Sequence, residues 1–221
     1  MNFKHLLAVA SIAACSAASA ASYDPVGVQL NVADSTVFGG GWQVAFVGDY
    51  GTQANSLAAI MAKIPAGANI MLAAQQVGST SFALLAEGPA ADVTQHTGLD
   101  APHLVNGAEW YWNAYSVGFA AAGDSINQNE ADVNDTDGQD RLSWHATVNG
   151  NWQGFDPNSA PNYIDAGFRA GDETYLQGGT TGWDRYVLFQ TAVPESTSSA
   201  MMVAGLALVG GLLRRRKTNA A

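Results

Sequence analysis

Between residues 21 and 192 the chain has no cysteine, its one cysteine being Cys15. Disulfides are therefore excluded there, and burial of apolar surface, with or without a bound ion, must hold the fold together. Basic residues are almost as scarce. Lys63, Arg141, Arg169 and Arg185 stand against eighteen acids in the same stretch, a net charge of −14. A domain of that charge is repelled by nucleic-acid phosphates and by anionic lipid, which leaves neutral glycans, cationic polymers and divalent cations as partners. Long hydrophobic runs are also missing from 21–192, so the apolar residues must pack in patterned elements around one core, for which this length suffices.

What is present alternates. Val26, Val28, Leu30 and Val32 are separated by polar or small residues, the period of a half-buried strand. Gly39, Gly40 and Gly41 make a turn before a second strand over 42–47. One short helix is expected after Asn55 or Ser56 as N-cap, because Leu57, Ile60, Met61 and Ile64 recur at helical spacing and Pro65 ends the run. Stretches 69–75 and 81–87 form two buried strands joined at Gly78. Residues 88–103 are broken by Pro89, Gly98 and Pro102 and make a loop with a helical turn, in which His96 and His103 are surface residues. A long strand over 109–119 puts Trp110 and Trp112 on one face and Tyr111, Tyr115, Val117 and Phe119 on the other. From 141 to 149, Leu142, Trp144, Ala146 and Val148 point to a core, and Arg141, Ser143, His145 and Thr147 point away. Asn149-Gly150 has the composition of a type I′ hairpin turn leading into a strand over 152–155. With strands at 163–169 and 183–190, the pattern is all-β, a β-sandwich of jelly-roll type with one short helix.

Both ends differ in kind from this domain. Lys4 and His5 precede an apolar stretch, and Ala18-Ser19-Ala20 is a small-x-small cleavage pattern, so residues 1–20 read as a signal peptide handled by the Sec machinery and signal peptidase. A second reading of the same stretch makes Ile12-Ala13-Ala14-Cys15 a lipoprotein box with Cys15 lipidated. At the other end Val193, Pro194 and Glu195 are followed by Ser196, Thr197, Ser198 and Ser199, an apolar run over 200–213, and then Arg214, Arg215, Arg216 and Lys217. The apolar run covers about 21 Å as a helix, short of a hydrocarbon core of about 30 Å. A transmembrane helix over 199–213, followed by four cations held in the cytoplasm, places residues 21–192 across the membrane.

This order of motif, apolar helix and arginine cluster over 193–217 resembles the PEP-CTERM sorting signal of Gram-negative bacteria. Pro194 and Glu195 match the family's Pro-Glu-Pro, and Ser196 stands where the second proline falls. The resemblance implies an exosortase-type transpeptidase as partner, transient residence in the inner membrane, and delivery to the cell surface or extracellular matrix, with residues 218–221 a tail. Within 21–192 the runs Ser125-Ile126-Asn127-Gln128-Asn129, Asp140-Arg141-Leu142-Ser143-Trp144-His145, Gly167-Phe168-Arg169-Ala170-Gly171 and Trp183-Asp184-Arg185-Tyr186 resemble short exported domains carried ahead of such tails. That group implies no chemistry.

Three constellations remain as candidate sites. Asp132, Asn134, Asp135, Asp137 and Asp140 surround Gly138, the oxygen-rich, charge-dense composition that calcium requires, although the register is not that of an EF-hand. Trp110, Trp112, Trp152 and Trp183 are candidates for sugar-stacking platforms of a carbohydrate-binding module in an exopolysaccharide matrix. Gly123-Asp124-Ser125-Ile126 is similar to the nucleophile block of GDSL esterases, but the one Asp-x-x-His, Asp100 to His103, precedes the serine where that family needs it to follow. With no nucleophile-elbow, zinc-protease or phosphate-loop motif, the sequence points to a non-enzymatic structural protein, with a glycan-binding module or a secreted hydrolase as alternatives.

Overall fold

A computed structural model describes residues 22–51, 55–98, 101–124, 140–148, 159–171 and 182–191. These residues form two antiparallel sheets packed face to face. The first has five strands, ordered β1 (Gln29–Ala33), β5 (Ser81–Pro89), β4 (Asn69–Gln76), β11 (Trp183–Gln190) and β2 (Gln43–Asp49). The second has six: β3 (Asn55–Ser56), β10 (Tyr163–Ala170), β9 (Leu142–Thr147), β8 (Ser116–Ala121), β7 (Ala108–Trp112) and β6 (His103–Val105). The sandwich is thus as expected, but the jelly roll is not. Strands β6 to β10 remain neighbours in one sheet, a meander in place of the Greek-key crossings of a jelly roll.

The core lies between the sheets. Ile70, Leu72, Leu84, Ala86 and Val187 of the first sheet meet Trp110, Trp112, Val117, Phe119, Leu142, Trp144 and Ile164 of the second in one buried cluster. A second cluster covers the opposite face of the first sheet, where Val37 and Trp42 pack on Met71, Ala73, Phe82, Leu85 and Leu188. Strands β4 and β5 are consequently buried on both faces, which explains why their sequences read as continuous apolar runs. The lid of the second cluster is α1 (Asp34–Gly39), a helix missing from the sequence expectation. Trp42 anchors it by donating its indole N–H to the Tyr23 carbonyl at 2.7 Å, and Gln190 donates to the Gly40 carbonyl at 2.6 Å.

Helix α2 (Leu57–Met61) forms where expected, with the Ser56 hydroxyl accepting from Ala59 N. Lys63 just beyond it donates to the Ala45 carbonyl at 2.8 Å, placing a cation against edge strand β2. With α3 (Ala90–Val93), which falls where a helical turn was expected within 88–103, the described residues hold three short helices, of which α1 alone was not expected.

The long strand over 109–119 is a hairpin. Asn113 breaks it: its side-chain oxygen accepts from the backbone N–H groups of Tyr115 and Ser116, a local turn that competes with the ladder. Folding back pairs Trp110 with Phe119 and Trp112 with Val117, so residues assigned to opposite faces share one. The Trp110 and Phe119 rings meet edge to face at 5.4 Å. The alternate face of β9 also differs from expectation, since Arg141, Ser143 and Thr147 are buried and His145 is half-buried.

Candidate functional site

One end of the sandwich, where β5 leaves the first sheet and β6 enters the second, carries an open pocket of about 630 Å³. The end of β5 supplies Glu87 and Pro89, the start of β4 supplies Asn69, α3 and its exit supply Asp92 and Gln95, and β6 with its turn supplies His103, Leu104, Val105 and Asn106. The packing that brings these elements together is tight. A Cβ on Gly88 would press on Val105 and Val93, so only glycine lets β5 lie this close to β6 and α3.

The turn between β6 and β7 is Asn106-Gly107, with φ of 47° and 78°. A two-residue hairpin loop needs left-handed backbone at both positions, which Asn-Gly supplies at least cost. The same Asn-Gly signal stands in the sequence at Asn106-Gly107 as at Asn149-Gly150, and the hairpin expected at 149–150 lies outside the described residues. The turn has a second job. The Asn106 amide donates to the Glu87 carboxyl oxygen Oε1, to the Glu87 carbonyl and to the Pro25 carbonyl, while Gly27 N donates to the Asn106 carbonyl. The N-terminal segment at Pro25 and Gly27 is thereby tied to this turn.

Glu87 is the pocket's unusual residue. It is 4% exposed, and burial pushes its carboxyl up to about 7; the negative charge of Asp24 pushes the same way, and hydrogen bonding from Asn106 and Asn69 opposes both. Its second oxygen, Oε2, is buried without a partner in good hydrogen-bond geometry. On the opposite wall the His103 Nε2–H donates to the Asp92 carbonyl, which fixes the imidazole tautomer.

The candidates read from sequence fall elsewhere. Trp110, Trp112 and Trp183 are buried in the core, Trp110 completely, and its indole donates to the Val105 carbonyl at 3.1 Å. Their faces are spent on packing, so the expectation of stacking platforms at these three positions is corrected; Trp152 lies outside the described residues. Of the calcium candidates only Asp140 is described, half-buried, while Asp132, Asn134, Asp135 and Asp137 lie outside. Among the described residues no three acidic, histidine or cysteine side chains converge to hold a metal. The ends of that acidic stretch are tied, with Asp124 Oδ2 at 3.3 Å from Nε of the buried Arg141.

Ser125 also lies outside the described residues. His145 packs edge-on to Phe168 at 5.1 Å; burial lowers its pKa, and the Asp165 carboxylate opposes the shift. The processing motif Val193, Pro194, Glu195 and the cations Arg214, Arg215 and Arg216 are outside the described residues, as is the signal peptide. No helix among the described residues is long and apolar enough to cross a membrane.

Fold and pocket together define an all-β, two-sheet sandwich with an acidic pocket at one end. Comparison with known proteins finds no matching family model and no match among curated proteins or solved structures.

Proposed function

We propose that the chain is an exported, non-enzymatic structural protein of the cell surface or extracellular matrix, sorted by an exosortase-type system that processes it near Pro194-Glu195. The single observation that carries this reading is the order Val193-Pro194-Glu195, apolar stretch, Arg214-Arg215-Arg216-Lys217. Each part has a physical role in that reading: the proline ends regular structure, the apolar run partitions into hydrocarbon, and the four cations stay on the cytoplasmic side. A cysteine-free sandwich with a core contributed by both sheets is compatible with life outside the cytoplasm, since its stability does not depend on redox conditions. The glycan-module alternative loses its tryptophan platforms at Trp110, Trp112 and Trp183 to burial, and no described residue favours the hydrolase.

The test is the intact mass of the protein recovered from its native cell surface, with and without deletion of residues 214–217. Processing predicts a mature product that ends near Pro194-Glu195 and accumulates only when the cations are present. A surface form that still carries residues 214–217 would overturn it.

A further inference from the structure

We propose that the outer face of the first sheet, beside α1, is a docking surface for a partner polypeptide that presents an amphipathic helix with a basic stripe next to its apolar one. The face lies toward the end of β4 away from the Glu87 pocket. It does not depend on how the chain is exported.

Strand register builds two parallel rows there. Ala73, Tyr186 and Val47 stand opposite one another on β4, β11 and β2, and two residues along the same strands so do Gln75, Asp184 and Asp49. Residues two apart on a strand share a face, so an apolar row and an acidic row run side by side about 7 Å apart. Both rows continue past β4. Tyr186 meets Phe82 edge to face at 5.1 Å, and Phe82 meets Phe38 of α1 at 5.9 Å. Gln75 donates to Asp34 Oδ1 at 2.8 Å, which sets the first residue of α1 at the end of the acidic row. The apolar row is open to water. Phe38 and Val47 are 41% and 49% exposed, and Val44, opposite Leu188, is 44% exposed. One exposed valine is ordinary, but a contiguous set with aromatic rings, bordered by charge, marks an interaction surface.

Charge selects the partner. Like charges placed opposite each other on neighbouring strands are destabilising, and Asp184 and Asp49 are so placed. Burial, with the charge of Asp49, raises the Asp184 carboxyl; burial, then Asp184 and Asp34, raises the Tyr186 phenol. Among the described residues no lysine or arginine lies on this face. Lys63 is bonded to the Ala45 carbonyl at the β2 edge, Arg185 is buried on the inner side of β11, and Arg141 and Arg169 belong to the second sheet. A second copy of this acidic chain or an anionic lipid surface is repelled, and a row of lysines or arginines is complementary. Spacing selects the shape. Acids on adjacent strands recur about every 4.8 Å, near the helical pitch of about 5.4 Å. A helix laid across β4, β11 and β2 therefore sets about one cation per turn over the acidic row and about one apolar side chain per turn over Tyr186 and Val47.

The measurement is fluorescence anisotropy of the full chain with a labelled Lys/Leu peptide of about 18 residues, about five helical turns, whose two residue types form adjacent stripes. A second peptide of the same composition scatters both types around the helix. The striped peptide should bind at least about tenfold more tightly. Asp184→Asn removes a repulsion and leaves the melt no lower, and Val47→Ser changes an exposed side chain; each should weaken binding several-fold. Asp92→Asn, an exposed acid beside the Glu87 pocket, should leave it unchanged. Equal binding of the two peptides would overturn the proposal, as would no binding of either or binding indifferent to Asp184→Asn and Val47→Ser. A loss in Asp92→Asn equal to that in Asp184→Asn would also overturn it, by marking general attraction to an acidic chain. Self-association of the chain that Val47→Ser abolishes would assign the face to a second copy and overturn it too.

Discussion

The Tyr50 hydroxyl accepts the indole N–H of Trp144 at 3.2 Å and donates to the Arg169 carbonyl at 3.3 Å. Tyr50 leaves the end of β2 in the first sheet, and Trp144 lies in the middle of β9 in the second. The Tyr50 backbone does the same work: its N–H donates to the Trp183 carbonyl of one sheet, and its carbonyl accepts from Gly167 N of the other. A fully buried residue thus bonds to both layers and rests edge-on against Trp183. Burial holds its phenol protonated, pushing its pKa far up despite the indole and the nearby Arg185.

Tyr50→Phe should therefore destabilise the fold by about 1–3 kcal/mol, the cost of leaving buried polar groups without their partner. Gly167→Ala should cost at least as much, because a Cβ there would fall inside the Tyr50 ring. Denaturant titration reads both. A Gly167→Ala variant as stable as the parent would mean that Tyr50 does not occupy this position.

Gly107→Ala tests the tie between the β6–β7 turn and the N-terminal segment. Gly107 has φ of 78°, and its added methyl would also press on the Gly27 backbone at 3.1 Å. A loss of about 1–2 kcal/mol is expected, with faster amide exchange at Gly27, whose N–H is bonded to the Asn106 carbonyl.

The pH dependence of stability should carry the sign of Glu87. Its carboxyl titrates near 7 in the fold against 4.5 ordinarily, so between these values the folded state binds more protons than the unfolded one. Stability then falls as pH rises from about 4.5 to 7, by up to about 2–3 kcal/mol. Asp184, raised by burial and by Asp49, slopes the same way. His145 slopes the other way: its pKa is held below 6.5, so the stability of its neutral form is lost as pH falls through that lowered value. Denaturant midpoints should be higher at pH 5.5 than at 7.5, and Glu87→Gln should shrink or reverse the difference. An unchanged pH profile in Glu87→Gln would show that burial, with the charge of Asp24, does not raise its carboxyl in the fold.

Calcium at millimolar concentration should raise the melting temperature by about 2–8 °C if the stretch with Asp132, Asn134, Asp135, Asp137 and Asp140 binds it with an affinity typical of weak extracellular sites. A chelator should reverse the gain, and Asp137→Asn should reduce it. A melt indifferent to calcium would remove the ion from the account of this protein.

Strands were legible wherever local pattern and burial agreed. The continuous apolar stretches around 69–76 and 81–89 became strands buried on both faces, and Ser56 capped its helix as its side chain predicts. Asn113 was misread because alternation counts residues and cannot register a side chain that closes a turn. The tryptophans were misread for a related reason. Period two assigns a residue to a face, but whether that face meets water depends on what packs over it, and here the other sheet does. Helix α1 was hidden among glycines and β-branched residues; what holds it is the apolar face of the first sheet, on which Val37 and Trp42 pack, and that face is remote in sequence.

The amino-acid sequence alone determined the all-β class, the acidic charge, the absence of disulfides between 21 and 192, and the order of Pro194-Glu195, apolar run and four cations over 193–217. Those properties reside in composition, periodicity and the order of short motifs, which need no contact between distant residues. Only the tertiary structure decided the meander, the Tyr50 bridge and the Glu87 pocket. Glu87 looks in sequence like one polar residue ending an apolar strand. Its character arises because Asn69, Asn106 and Asp24, from three other parts of the chain, are folded around it in a place water hardly reaches.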